Sequence, residues 1–204
     1  ARFWCFLRKP MLQIKAFASH LVPCTIRDYT PADREACEAV YASNIPGAYP
    51  ESILEECATF LDEGTSYHLV VEQEGEVIGC GGLELRGEGP YAHLVFGFIH
   101  KDFQRKGFGT TLLAARLSLV EHEGQTMTLH VEAGAEVAPL YARIGFELAD
   151  VKVNRYGPGQ DSGHLVLKIT PEEVAELGEI LAARGVVIQL AVPEDVELLD
   201  TVEE

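Results

Sequence analysis

The stretch Phe98-Ile99-His100-Lys101-Asp102-Phe103-Gln104-Arg105-Lys106-Gly107-Phe108-Gly109-Thr110 decides the reading of this chain. It closes a run from Tyr91 to Ile99 whose aromatic and β-branched content predicts a strand, and it opens a helical pattern predicted from Gly107 to about Glu121. Two glycines two apart at a helix start bare backbone amides, and amides at a helix N-terminus bind anions. Gly107 and Gly109 lack the Cβ that would hold a phosphate oxygen off the main chain, while Arg105 and Lys106 add positive charge. A phosphate site is implied. The bland alternative is a glycine-softened turn that caps an ordinary helix. The stretch is neither a Walker A loop, since Gly-Lys-Ser/Thr is missing, nor a G-x-G-x-x-G dinucleotide fingerprint.

Upstream, Thr25 to Arg27 reads as a short strand, and Thr30 before Pro31 supplies the N-cap and first-turn proline of a helix running to about Ala42. Ser43 to Pro50 is rich in Asn, Pro and Gly and reads as a loop. Ile53, Leu54, Cys57, Phe60 and Leu61 recur at helical spacing up to Gly64. His68 to Glu72 and Glu76 to Leu85 predict a hairpin across Glu74-Gly75. Downstream, Thr126 to Glu132 predicts a strand, Glu136 to Arg143 a short helix closed by Gly145, and Phe146 to Val153 and His164 to Ile169 two strands around the loop Arg155 to Gly163. After Pro171 comes a helix-like stretch to Arg184, and then Val186 to Leu190, apolar enough to pair with a sheet edge. Val174, Leu177, Ile180 and Leu181 fall at helical spacing, so this segment is expected to pack on its own domain or on a second subunit as a homodimer.

A chain of 204 residues, 47% hydrophobic and 24% charged, suits one α/β domain with a real core. Lys and Arg number 16 against 32 for Asp and Glu, and a net charge of -16 argues against nonspecific nucleic-acid binding, because phosphates demand the opposite sign. No apolar run is long enough for a membrane helix, so no membrane partner is expected. Cys5, Cys24, Cys37, Cys57 and Cys80 include no C-x-x-C pair and read as reduced thiols of a cytoplasmic protein, with neither a disulfide framework nor a metal site. The first acid is Asp28, so residues 1–23 read as a separate leader and extended arm, in which the segment before Met11 is dispensable. Residues 24–170 form the expected domain. Residues 171–204, with ten acids and one Arg184, form an acidic C-terminal appendage.

Gln104-Arg105-Lys106-Gly107-Phe108-Gly109 matches in full the cofactor motif Q/R-x-x-G-x-G/A of the GCN5-related N-acetyltransferase (GNAT) superfamily, which the chain resembles. Leu140-Tyr141-Ala142-Arg143-Ile144-Gly145-Phe146-Glu147 is similar to that superfamily's late tyrosine to Gly-Phe segment, and Val77-Ile78-Gly79-Cys80-Gly81-Gly82 to an earlier strand. The resemblance covers roughly residues 24–169. It implies a mixed, mostly antiparallel central sheet flanked by helices, with a splayed strand pair that binds acetyl-CoA. It further implies that the amides of Gln104, Arg105, Lys106, Gly107, Phe108, Gly109 and Thr110 hold the cofactor pyrophosphate. Main-chain groups of Gly97 and Ile99 would pair with pantetheine as an added strand.

The reaction implied is direct attack of a primary amine on the acetyl-CoA thioester, which requires a base for the amine proton, stabilisation of the carbonyl oxygen and an acid for the leaving thiolate. Tyr141 falls on the superfamily tyrosine that protonates the thiolate, and a backbone amide near Ile99 is the expected oxyanion donor. Many histone-type members place a Glu where His93 stands here, and an imidazole suits that task with an ordinary pKa of about 6.5. His130, Glu132 or an ordered water are the rivals. Ala133-Gly134 stands where many members of the superfamily carry Asn or Thr-Ser, and the resemblance then implies a cofactor held more by backbone pairing than by a side-chain contact to pantetheine at that point. Asn44 to Pro50 and the loop carrying Tyr156-Gly157-Pro158-Gly159 and Asp161 are expected to choose the acceptor, a small-molecule amine or a lysine or N-terminal amine. A catalytically inactive acyl-CoA-binding module on the same fold is the alternative.

Overall fold

The computed structural model describes residues 18–45, 50–63, 67–85 and 89–190. Period-two alternation along the strands sends side chains to two opposite cores. In strand β2 (Tyr67–Gln73), Leu69 and Val71 enter one core and Val70 the other. β2 turns into β3 (Glu76–Leu85) through Glu74 at φ 54° and Gly75 at φ 83°, the paired left-handed residues of a tight hairpin, as the sequence predicts. The remaining strands are β1 (Cys24–Asp28), β4 (Tyr91–Ile99), β5 (Met127–Gly134), β6 (Glu147–Lys152), β7 (Ser162–Ile169) and β8 (Val186–Gln189). They form one sheet in the order β6-β7-β5-β4-β3-β2-β1-β8. Among the described residues only β1–β8 and β4–β5 are parallel pairs, so the sheet is mixed and mostly antiparallel.

Helices α1 (Arg34–Ser43) and α2 (Ile53–Glu63) cover one face, burying Val40, Tyr41, Cys57 and Leu61 against Val70, Cys80 and Phe98. Helices α3 (Phe108–Leu117), α4 (Ala138–Ile144) and α5 (Pro171–Ala183) cover the other, through Leu112, Leu113, Tyr141, Leu177 and Leu181. Helix α1 is entered through a single 3₁₀ turn, Pro31–Asp33. There Asp33 accepts hydrogen bonds from the Thr30 amide (2.8 Å) and hydroxyl (2.9 Å) and pairs with both terminal nitrogens of Arg27 at 2.8 Å.

Two helix limits differ from the sequence reading. Helix α3 stops at Leu117, not near Glu121, because the Ser118 hydroxyl bonds to the Ala115 carbonyl at 2.8 Å and the chain then turns through the left-handed pair Glu123-Gly124. Helix α4 begins at Ala138, two residues later than Glu136, with Pro139 in its first turn where no amide is needed.

Helix α5 opens on a reciprocal cap. Thr170 N–H donates to Glu173 Oε2 at 2.8 Å, and Glu173 N–H donates to Thr170 Oγ1 at 3.3 Å. Its Leu177 and Leu181 are fully buried in the core beneath α3, each worth about 2 kcal/mol of hydrophobic stabilisation. β8 then adds itself to the edge of β1 with Cys24 opposite Val186 and Ile26 opposite Ile188, the sheet-edge pairing expected for this segment. Ahead of β1, Leu21 is buried and the Val22 amide donates to Thr111 Oγ1 at 3.0 Å, which docks the arm against the start of α3. Residues 1–17 and 191–204 lie outside the described residues, and with them the segment before Met11 and the end of the acidic tail.

Candidate active site

β4 and β5 run side by side from Tyr91 opposite Thr128 to Leu94 opposite Val131, and there their pairing ends. β4 continues to Ile99 and β5 to Gly134, so the two strands part and leave a gap. The cause lies in β4. Its register with β3 slips between Cys80 and Gly82, and Phe96 sits at φ 44°, a bulge that bends β4 away while β7 keeps hold of β5. Beyond the bulge His100 N–H donates to the Ile78 carbonyl at 2.8 Å. Strand alternation therefore aims the main-chain groups of Ile99, and of Gly97 two residues earlier, into the gap.

The turn after β4 is tied to that strand's end. Gln104 Nε2 donates to the Ile99 carbonyl at 3.1 Å and to Asn44 Oδ1 at 2.6 Å, and Asn44 Nδ2 donates to the same carbonyl at 3.2 Å. The Ile99 carbonyl is thus already engaged, and Ile99 offers the gap its amide. Arg105 (φ 58°) and Gly107 (φ 101°) are left-handed, a conformation that turns nearby amides toward one concavity. The first bond of α3 runs from Thr111 N–H to the Gly107 carbonyl at 2.9 Å, so the amides of Phe108, Gly109 and Thr110 precede the helical ladder.

The two glycines differ. A Cβ on Gly107 would lie 2.6 Å from the His20 carbonyl and 2.7 Å from Val22 Cγ1, so the arm and the positive φ already require glycine there. A Cβ on Gly109 would meet only Ile99 Cγ1, at 3.7 Å. The Phe108 side chain belongs to the core, whereas Arg105 and Lys106 are exposed and Lys106 Nζ sits 5.0 Å from the Phe103 ring centre.

The parted strands open on a cleft of about 380 Å³ lined by Leu94 to Phe98, Val131 to Ala133, His93, Tyr141 and Tyr156. Tyr141, on α4, is 7% exposed and packs edge-on against Phe146 with ring centres 5.3 Å apart. His93 stacks on His130 at 5.0 Å, its direct partner in the parallel pair, and His130 stacks on His164 of β7 at 5.2 Å. His130 Nδ1 and His164 Nε2 are 3.0 Å apart. Burial, and then the neighbouring His164, hold the His130 pKa below its ordinary value. Among the described residues no group of three or more side chains is placed to hold a metal ion. Two ion pairs frame the mouth, Lys152 with Glu132 and Arg155 with Glu56, the latter at 3.6 Å.

The structure therefore brings Tyr141, His93, His130, Glu132 and Gly97 to one cleft, and sets the Gln104 to Thr110 turn apart from it at the far end of β4. Arg155 and Tyr156 line the cleft, whereas 46–49 of the other expected acceptor loop lie outside the described residues. His164, Lys152 and Glu56 had no signal in the sequence; each enters only through strand register or helix placement.

The fold is shared with solved structures of low sequence identity. A GNAT-family protein from Desulfovibrio desulfuricans superposes with a TM-score of 0.62 at 19% identity, covering 71% of this chain and 98% of that one. The ribosomal-protein-S18-alanine N-acetyltransferase of Escherichia coli gives 0.59 at 24% identity, covering 72% and 94%. An aminoglycoside 6'-N-acetyltransferase complexed with coenzyme A gives 0.59 at 14%, covering 72% and 97%. At these identities the likeness establishes the fold. No curated protein sequence matches the chain significantly. The acetyltransferase (GNAT) domain family matches residues 35–158, more than half of the chain and all of the parted-strand cleft up to β6, and the chain belongs to that family.

Proposed function

We propose that this protein transfers an acetyl group from acetyl-CoA to the primary amine of a small molecule, a lysine or a protein N-terminus, by direct attack. The observation that carries the reading is the parting of β4 and β5 beyond Leu94 and Val131, with the Tyr141 side chain lining the cleft that results. Acetyl-CoA would supply the activated thioester. The chain's own groups fit it: the Gly97 and Ile99 main chain borders the gap, and the amides of Phe108, Gly109 and Thr110 stand ahead of the first helical bond, beside exposed Arg105 and Lys106. The Ile99 amide, whose carbonyl is fixed by Gln104 and Asn44, would stabilise the carbonyl oxygen as it gains charge. Tyr141 would give its phenol proton to the sulfur, and His93 would take the surplus proton of the amine.

The cleft mouth carries both signs in ion pairs, so the acidic character of the whole chain does not extend to it as a bare anionic funnel. Four cysteines, Cys24, Cys37, Cys57 and Cys80, are free and buried, which supports a reducing, cytoplasmic setting. The test is a panel of amines, including polyamines, aminoglycosides, amino acids and peptides, assayed for release of CoA thiol and for acetylated product by mass spectrometry. Steady release with one class of amine supports the proposal. Tight CoA binding with no release from any amine would favour the inactive binding module.

A further inference from the structure

Arg116 lies on α3 beneath the bulge of β4 and is 3% exposed. Among the described residues no carboxylate pairs with it, in contrast to the other long charged contacts of this fold, such as Arg27 with Asp33. Its Nη1 reaches the Gly82 and Val95 carbonyls only at 3.4 Å, and its Nε has no hydrogen-bond partner. A buried guanidinium so poorly compensated is costly, and a fold that merely needed to fill this space would be better served by an apolar side chain.

The space is nonetheless built around the charge. A Cβ on Gly97 would lie 2.6 Å from Nη2 and 2.9 Å from Nη1, and one on Gly81 would lie 3.3 Å from Nη1. Both glycines of the bulge therefore keep room for the guanidinium. Tyr141, which lines the same cleft as Gly97, is the titratable group with which the guanidinium interacts most strongly, ahead of Cys80 and Tyr41. The cation thus lies against the Gly97 backbone and interacts with Tyr141 of the same cleft, and among the described residues no carboxylate is paired with it.

Resting on the proposed function, we propose that Arg116 is a positioning residue of the transfer, a preorganised buried cation that acts through Tyr141 and the Gly97 bulge on the negative charge created at the sulfur. As the amine nitrogen forms its bond to the acetyl carbon, the C–S bond breaks and its electron pair goes to sulfur. Tyr141 gives sulfur the phenol proton, and the amine's surplus proton passes to the base. The phenolate left on Tyr141 then faces the guanidinium until a proton returns from solvent. Charge that exists only during the reaction is where a fixed dipole or cation accelerates most, because no reorganisation is required when it appears.

The full chain is compared with Arg116→Met, Arg116→Lys, Tyr141→Phe and the Arg116→Met/Tyr141→Phe double variant. Arg116→Met should lower kcat by about 10-fold or more with the KM for acetyl-CoA nearly unchanged and with Tm equal or higher, since the apolar side chain removes a buried charge. Arg116→Lys should recover part of the loss. The double variant should be no slower than Tyr141→Phe alone, because both changes remove one device. A second readout needs no acceptor: ionisation of the bound CoA thiol, followed by thiolate ultraviolet absorbance against a desulfo-CoA blank. It should occur about one pH unit lower in the wild-type protein than in Arg116→Met. Unchanged kcat, losses that multiply in the double variant, or identical thiol titrations would overturn the proposal. A protein that binds CoA but acetylates no amine would sink the proposed function while the thiol titration still decides on Arg116; one that binds no CoA would overturn both.

Discussion

His130 Nδ1 and His164 Nε2 lie 3.0 Å apart across β5 and β7, so one imidazole donates a proton that the other accepts, and the pair is satisfied only while at least one ring is neutral. Burial and the His164 ring hold the His130 pKa below 6.5, and burial does the same to His68, whose Nε2 lacks a partner. Groups with depressed imidazole pKa values bind protons in the unfolded chain before they do in the folded one. Stability is therefore full above the unfolded value and declines as pH falls through about 6.5 toward the folded values. Thermal melts between about pH 7.5 and pH 5 should show a falling Tm, and His130→Gln should flatten that slope. A slope unchanged by His130→Gln would assign it elsewhere.

Tyr141 sits in the cleft with its ring held against Phe146 and its hydroxyl as the single group that Tyr141→Phe removes. The packing of α4 should survive the change. Turnover should fall by roughly 100-fold with CoA affinity little altered, the pattern expected when an interaction made only in the transition state is lost. Steady-state kinetics beside a CoA binding titration measure both, and equal turnover would pass the proton to water or another group.

The element order and the signature turn were legible because they rest on local chemistry: the Glu74-Gly75 hairpin, the Thr30-Pro31 helix start and the Gln104 to Gly109 motif each declare themselves within a few residues. The parting of β4 from β5 was legible only through resemblance, since it depends on a bulge opposite Gly81 that no alternation of residues announces. His164 and Arg116 were not legible at all. His164 becomes a neighbour of His130 through a register of β5 with β7 that spans 34 positions of sequence, and Arg116 occupies what reads as an ordinary polar position late in a helix. Both depend on contacts between distant segments, which periodicity cannot report.

The two glycines of the turn should respond in opposite ways. Gly109→Ala adds a methyl group into ordinary contact with Ile99 and removes a flexible residue from the first turn of α3, so the folded chain should gain about 0.5 kcal/mol or more. The same methyl group stands where a phosphate would approach the amides, so CoA affinity should fall by about 10-fold. Gly107→Val instead forces a branched side chain onto φ 101° and against the His20 carbonyl, and should cost about 2 kcal/mol or more of stability. It is therefore unsuited to testing phosphate approach alone. Calorimetry of folding and of CoA binding on both variants separates the effects; a Gly109→Ala protein with wild-type CoA affinity would remove the phosphate from this turn.

Asp33 joins β1 to α1 through Arg27 and Thr30, and the Arg27 guanidinium, helped by the Thr30 bonds, holds its carboxyl pKa at about 2 against an ordinary 3.8. A depressed carboxylate stabilises the fold fully above its unfolded pKa, and that contribution is lost as pH falls through the folded value. Asp33→Asn keeps the acceptor for Thr30 but removes the charge. It should cost about 2 kcal/mol at neutral pH, and its difference from the wild-type protein should shrink between about pH 4 and pH 2. Urea unfolding at several pH values measures this directly, and a cost that does not vary with pH would show that the charge is not its source.

His93 is the histidine of the ladder on the flank of the gap itself, in register with Glu84 on one side and His130 on the other. His130 commits Nδ1 to His164, and burial and that neighbouring ring hold its pKa below the ordinary value, which weakens it as a proton acceptor. His93, which lines the cleft, should take the amine proton, directly or through one water. Activity should then rise with pH through about 6 to 7 as the imidazole becomes neutral, and level off above. The ionisation of the amine adds its own rising limb, so the profile must be compared between variants with the same acceptor. His93→Gln keeps a side chain of similar size and hydrogen-bonding capacity that cannot bind a proton near neutrality, so it should abolish the low-pH limb and lower the plateau by roughly 10². Because Glu132 is paired with Lys152 and His130 with His164, Glu132→Gln and His130→Gln should each leave the limb in place. If His93→Gln keeps full activity while either of those variants loses it, the base belongs to β5.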